Sequence, residues 1–138
     1  MAGYSGTPLP QKLGIKAGAR LAIAFAPKTF QRTLGKLPTG VKAAQLTGKG
    51  PFDVIVAFFD KEAAFKSQLP KLEKVLDPSG GLWIAWPKRA SGVPTDMTED
   101  VVRKHALPRG LVDNKVCALD ETWSGLRLVI RVENRPKR

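Results

Sequence analysis

Phe52-Asp53-Val54-Ile55-Val56-Ala57-Phe58-Phe59 and, after a helical stretch, Leu76-Asp77-Pro78-Ser79-Gly80-Gly81-Leu82-Trp83-Ile84-Ala85-Trp86 decide the fold. In the first segment both alternating faces from Asp53 to Phe59 are apolar, which predicts a central strand covered by helices on both sides. Between the segments, Phe65, Leu69, Leu72, Val75 and Leu76 recur at helical spacing. Pro70 lies inside that helix and is expected to kink or restart it, because proline removes a backbone donor. The Pro78-Ser79-Gly80-Gly81 run reads as a tight turn before a second buried strand, Leu82–Trp86. Strand, crossover helix and strand make one right-handed parallel unit.

The pattern extends in both directions. Upstream, Thr7 before Pro8 predicts a helix N-cap and a short helix through Leu13. A strand is expected over 20–26, a helix over 28–34 and a modest strand over 41–46. Downstream, Asp96 or Thr98 can cap a helix that ends near Leu107-Pro108. Residues 112–119 and 126–132 then alternate as an antiparallel hairpin across the loop Asp120–Gly125. The expected architecture is α/β: three layers, a mostly parallel sheet of about six strands, and a C-terminal antiparallel hairpin. One domain spans residues 1–138, with a basic segment over 1–19 and a frayed tail over 134–138.

Composition bounds what such a domain can do. A chain of 138 residues with 43% hydrophobic content buries a core without staples. Its longest apolar runs, six or seven residues, fall short of the roughly 20 that span a bilayer. The segment Met1–Gly6 has neither a charged n-region nor an apolar h-region, so no signal peptide is expected. Cys117 is the single cysteine and His105 the single histidine, which leaves no disulfide and no metal-ligand set. A cytoplasmic protein without metal or cofactor is the expectation.

The net charge of +11 is unevenly placed. Residues 1–52 carry eight Lys or Arg and no acid, and Asp53 is the first carboxylate. An electropositive face built by the N-terminal third follows, either for solubility or for a polyanionic partner. A nucleic acid is one such partner, with Tyr4, Phe30 or an exposed tryptophan available to stack on bases. The other is a small anionic ligand.

Ligands in open α/β sheets favour the crevice at the carboxyl ends of the strands, where strand order reverses. The residues expected there include Lys28 and Thr29 at a helix start, Trp86 at a strand end, and Lys88, Arg89 and Ser91 just beyond it. Lysine, arginine and backbone donors suit an anion, and Trp86 offers a flat wall. Trp83 and Trp86 cannot face the same side of one strand, so at least one belongs to the core. A second candidate is a compact recognition loop of Trp123, Ser124 and Arg127, with the alternative that Trp123 packs beneath a turn closed by Gly125. His105 is expected at a surface helix position without a nucleophilic partner. A small enzyme using the crevice would need Asp60 or Asp120 as proton acceptor, and an adaptor subunit would expose a large apolar patch.

A parallel sheet ending in an antiparallel hairpin resembles the class I methyltransferase-like Rossmann fold, from about Gly18 to Val132. The resemblance implies the strand order 2-1-3-4-6-5, one strand and its helix fewer than those enzymes possess. It also implies a glycine-rich loop after strand one and an acid at the end of strand two, which hold S-adenosylmethionine. This chain has Ala26-Pro27-Lys28-Thr29-Phe30 and Gln45-Leu46-Thr47 at those places. Binding of that cofactor in the usual pose is therefore not expected. The segments Ala2–Leu9, Leu13–Lys16, Trp86–Lys88, Ala90–Val93 and Trp123–Val129 resemble a family of small bacterial proteins catalogued as a domain of unknown function (number three-zero-five-two). That resemblance implies a bacterial protein and carries no activity or site. Together these features suggest a non-catalytic binding or regulatory domain for an anionic ligand or partner.

Overall fold

A computed structural model describes residues 7–45 and 49–134. Six strands form one sheet: β1 (Leu21–Ala24), β2 (Ala43–Gln45), β3 (Phe52–Phe58), β4 (Leu76–Pro87), β5 (Leu111–Ala118) and β6 (Trp123–Ile130). Their lateral order is β2-β1-β3-β4-β6-β5, as the resemblance implies. The first four run parallel, and β6 joins β4 and β5 antiparallel.

Helices α1 (Leu9–Lys12) and α2 (Phe30–Leu34) cover one face, and α3 (Glu62–Lys74) and α4 (Glu99–Ala106) the other. The alternation within β3 sets this layering. Val54, Val56 and Phe58 pack with Leu13, Phe30 and Leu34, whereas Ile55, Ala57 and Phe59 pack with Phe65, Leu69 and Val102. Trp83 and Trp86 separate onto these two faces, and both are buried.

Several local expectations change in the folded chain. Pro8, not Thr7, is the N-cap of α1, and no side chain caps that helix. Pro10 occupies its first turn, where a missing amide costs nothing. Pro70 sits within α3 without ending it; the carbonyl it leaves unpaired lies one turn earlier, at exposed Lys66. Thr98, rather than Asp96, caps α4, its hydroxyl accepting from the Val101 amide at 3.1 Å. Asp96 instead accepts the Glu62 amide at 2.7 Å. The tail at 135–138 and the Leu46 end of the second strand lie outside the described residues.

The Pro/Gly run after Leu76 belongs to β4 as a bulge. Phe52 pairs with Leu76, but Val54 pairs with Gly81, so Asp77–Gly80 arch out of the ladder. The arch places the buried Asp77 carboxylate to accept from the Ser79 amide and hydroxyl at 2.9 and 2.7 Å. Arg20, just before β1, reaches Asp77 at 3.2 Å and clasps both carboxylate oxygens of Asp53. Its amide adds a third bond to Asp53 at 2.8 Å. This cluster ties β1, β3 and β4 at their amino ends, away from the ligand edge, and sequence reading missed it because the three residues are far apart in the chain.

Hydrogen bonds from Arg20 hold the Asp53 carboxyl below the usual carboxylate range, against the opposing effect of burial. A carboxyl depressed in the folded state adds stability that is present above its unfolded pKa and lost as pH falls through its folded one. Asp53→Asn is therefore expected to lower the urea midpoint at pH 7, a difference that shrinks as pH falls below the usual carboxylate range. With Arg20 and Asp53 side chains 50% and 38% exposed, the effect at pH 7 is about 1 kcal/mol or less. Acid limbs that run parallel in the two proteins would show that the pair carries no pH-dependent stability.

Candidate functional site

Strands β1, β3 and β4 deliver their carboxyl ends to one edge, where two cavities form. The first, of about 780 Å³, lies beside the exit of β1. Phe25 leaves the strand with φ 60°, a left-handed conformation rare for a bulky residue. The residue is 56% exposed, and its ring rests on Phe59 at 5.5 Å between centroids. Lys28 lines this cavity together with Pro27, Gln31 and Ala44. Thr29 stands beside it as the N-cap of α2, its carbonyl accepting from the Thr33 amide and hydroxyl.

The second cavity, of about 650 Å³, lies beyond β4 under the loop 88–98. Trp86 and Ser124, directly paired across β4 and β6, form its floor. Lys88, Arg89, Thr95 and Met97 enclose it. The loop is fixed by its own bonds: the Lys88 amide donates to Thr122 at 2.8 Å, and Thr95 hydroxyl donates to the Asp60 carbonyl. Ser91 belongs to that scaffold. Its hydroxyl donates to the Lys88 carbonyl at 2.7 Å and accepts from the Val93 amide, while its amide also turns back to Lys88. These groups hold Lys88 and Arg89 in place and are not turned toward a ligand.

Among the described residues neither Lys88 nor Arg89 forms an ion pair. The carboxylate in the lining, Glu99, is held by Arg103 at 3.2 Å. The crevice expected from sequence is thus divided: Lys28 lines one cavity, and Trp86, Lys88 and Arg89 line the other. β3 lies between them.

Trp123, Ser124 and Arg127 do not share a loop. The Asp120 carboxylate accepts from the Thr122 and Trp123 amides at 2.8 and 2.7 Å, closing the hairpin early, so β6 begins at Trp123. Trp123 packs edge-on against Phe58 at 5.1 Å, on the α1/α2 side. Arg127, paired with Trp83, reaches Asn114 at 3.3 Å. Ser124 alone of the three faces the second cavity.

The candidate proton acceptors lie elsewhere. Asp120 is committed to its turn, and neither it nor Asp60 lines either cavity. His105 is half-buried rather than on the surface. Its Nε2 lies 2.7 Å from Glu62 Oε2, and its ring meets Phe65 edge-on. His105 and Lys104 together hold the Glu62 carboxyl below the usual range, so this cluster clamps α4 to α3. Phe30, considered for base stacking, is buried at 2% exposure, and Tyr4 lies outside the described residues. Among the described residues no group of three His, Cys, Asp or Glu side chains is placed to hold a metal ion, and no helix is long and apolar enough to cross a membrane.

No protein-family model matches the chain, and no curated protein matches it in sequence. Solved structures do resemble it in fold. A putative type 11 methyltransferase from Sulfolobus solfataricus superposes with a TM-score of 0.64 at 11% identity, over 100% of this chain and 98% of that one. A SAM-dependent methyltransferase from Aquifex aeolicus gives 0.61 at 14% identity, over 87% of each chain. The magnesium protoporphyrin IX methyltransferase of Synechocystis PCC 6803, solved with bound SAM, gives 0.55 at 10% identity, over 88% of this chain and 74% of that one. At such identities the likeness establishes a methyltransferase-like Rossmann fold.

Proposed function

We propose that the protein is a non-catalytic binding domain that takes a small anionic ligand in the cavity beyond β4. One observation carries this reading: among the described residues Lys88 and Arg89 form no ion pair, and they stand at a cavity whose floor is Trp86. A ligand that supplies the missing negative charge gains charge-assisted hydrogen bonds from both, which are stronger than neutral ones. A scaffolded loop keeps the two cations near that position before binding, so little ordering entropy is lost.

S-adenosylmethionine, the ligand of the Synechocystis enzyme, fits the residues at β1 poorly. The backbone leaves the strand through Phe25 and Pro27, one bulky and the other without an N–H, where close approach to a cofactor is needed. Lys28 is the charged side chain in that lining, and no carboxylate there can take the ribose hydroxyls or balance the sulfonium. Methyl transfer is accordingly not part of this reading.

The test is calorimetric titration with adenosine monophosphate and with inorganic phosphate. Lys88→Ala/Arg89→Ala is expected to weaken binding at least tenfold, since a hydrogen bond to a charged group contributes about 1.5–3 kcal/mol. Lys28→Ala should leave affinity unchanged. The reverse outcome would move the site to β1, and equal affinity in all three proteins would remove both cavities from consideration.

A further inference from the structure

The two faces of the sheet treat charge differently. On the α3/α4 face acids and bases are mixed: Glu62 meets Lys104 and His105, Glu73 meets Arg109, and Glu99 and Asp113 meet Arg103, beside exposed Lys61, Lys66, Lys71 and Lys74, which form no ion pair among the described residues. On the α1/α2 face, Lys16, Lys28, Arg32, Lys36 and Lys42 are all exposed, and among the described residues none forms an ion pair. No carboxylate occurs between residues 7 and 45 to neutralise them.

Three of these cations form a short row in the chain around α2: Lys28 precedes the N-cap Thr29, Arg32 lies within the helix and Lys36 follows Gly35, while Phe30 and Leu34 turn inward to the core. Beside this row runs a groove of about 1030 Å³ with Lys16 and Lys36 in its walls. The Gly18 amide donates to the Thr39 carbonyl at 2.9 Å and fixes the groove's two loops together.

We infer that the α1/α2 face docks the phosphate backbone of nucleic acid, independently of base sequence. Complementary charge supports it, since no carboxylate lies between residues 7 and 45. The inference does not rest on the cavity beyond β4.

The test is fluorescence anisotropy with a labelled 20-base-pair DNA duplex between 50 and 200 mM salt. Each neutralised phosphate adds about 0.9 to the log–log salt slope. Lys28→Gln/Arg32→Gln/Lys36→Gln should lower that slope by about 2–3 and weaken binding at 50 mM salt at least tenfold. A control with the same charge loss on the opposite face, Lys66→Gln/Lys71→Gln/Lys74→Gln, should change the slope by less than one. Lys88→Ala/Arg89→Ala should bind the duplex like the parent, which separates this inference from the proposed ligand site. Thermal melts establish that each variant is folded. Unchanged slope in the α2 variant, equal losses in both triple variants, or binding to phosphatidylserine vesicles but not to the duplex would each overturn the inference.

Discussion

Trp83→Ala is expected to lower the free energy of unfolding by about 3–5 kcal/mol, a large part of the 5–15 kcal/mol typical of a domain. Trp83 is fully buried at the centre of β4, between Val56 of β3 and Arg127 of β6. It also fastens α1 to the sheet, since its indole N–H donates to the Leu13 carbonyl at 3.0 Å. Truncation opens a cavity in the α1/α2 layer and leaves that carbonyl without its partner. Trp83→Phe separates the two effects: the ring volume is largely kept, the hydrogen bond is lost, and a cost of about 1–3 kcal/mol remains. Urea denaturation of the three proteins measures both. Equal losses in the two variants would assign the whole effect to the hydrogen bond. A loss under 1 kcal/mol in Trp83→Ala would mean that the layer closes over the gap.

The same tryptophan illustrates what could be read from the chain alone. Its neighbourhood was legible because Val54–Phe59 and Leu82–Trp86 are apolar on both faces, a pattern that few structures other than a doubly covered sheet accommodate. Strand order followed once the closing hairpin was recognised. Pro78-Ser79-Gly80-Gly81 was misread because its local signals are those of a turn, while its bulge depends on pairing with β3 and on Arg20, some sixty residues away. Sequence puts Trp123 in a loop because nothing in the local pattern shows that the Asp120 carboxylate closes the hairpin three residues earlier. The candidate site was split for a lateral reason. Sequence places Lys28 and Lys88 each just past a strand, but β3 separates those strands, and two strand spacings of about 4.8 Å set them about 10 Å apart. The basic N-terminal third was plain from composition; that it lies on one face, while the other face mixes acids with bases, required the fold.

Gly80 and Gly81 lie next to each other in the bulge, and alanine at the two positions is expected to have unequal consequences. A Cβ at Gly80 would lie 2.7 Å from the Asp53 carbonyl oxygen and 3.1 Å from that of Asp77. Both are backbone atoms, fixed by the β3 ladder and by the bulge, so the strain is relieved only by moving β4 away from β3. That shift also spreads the carboxylates that clasp Arg20. Gly80→Ala should therefore cost about 2–4 kcal/mol, the upper range of overpacking in a rigid site. A Cβ at Gly81 would collide with the Arg127 guanidinium, the far end of a flexible side chain that is only half-buried. Arg127 can swing out, giving up its bond to Asn114 among its interactions, for about 1–2 kcal/mol. Thermal denaturation should rank the variants in that order, with Gly80→Ala also losing the acid dependence attributed to Asp53. A larger loss at Gly81 would mean that Arg127 is held more firmly than its bond to Asn114 accounts for, and that the rigidity of this region resides in β6 rather than in the bulge.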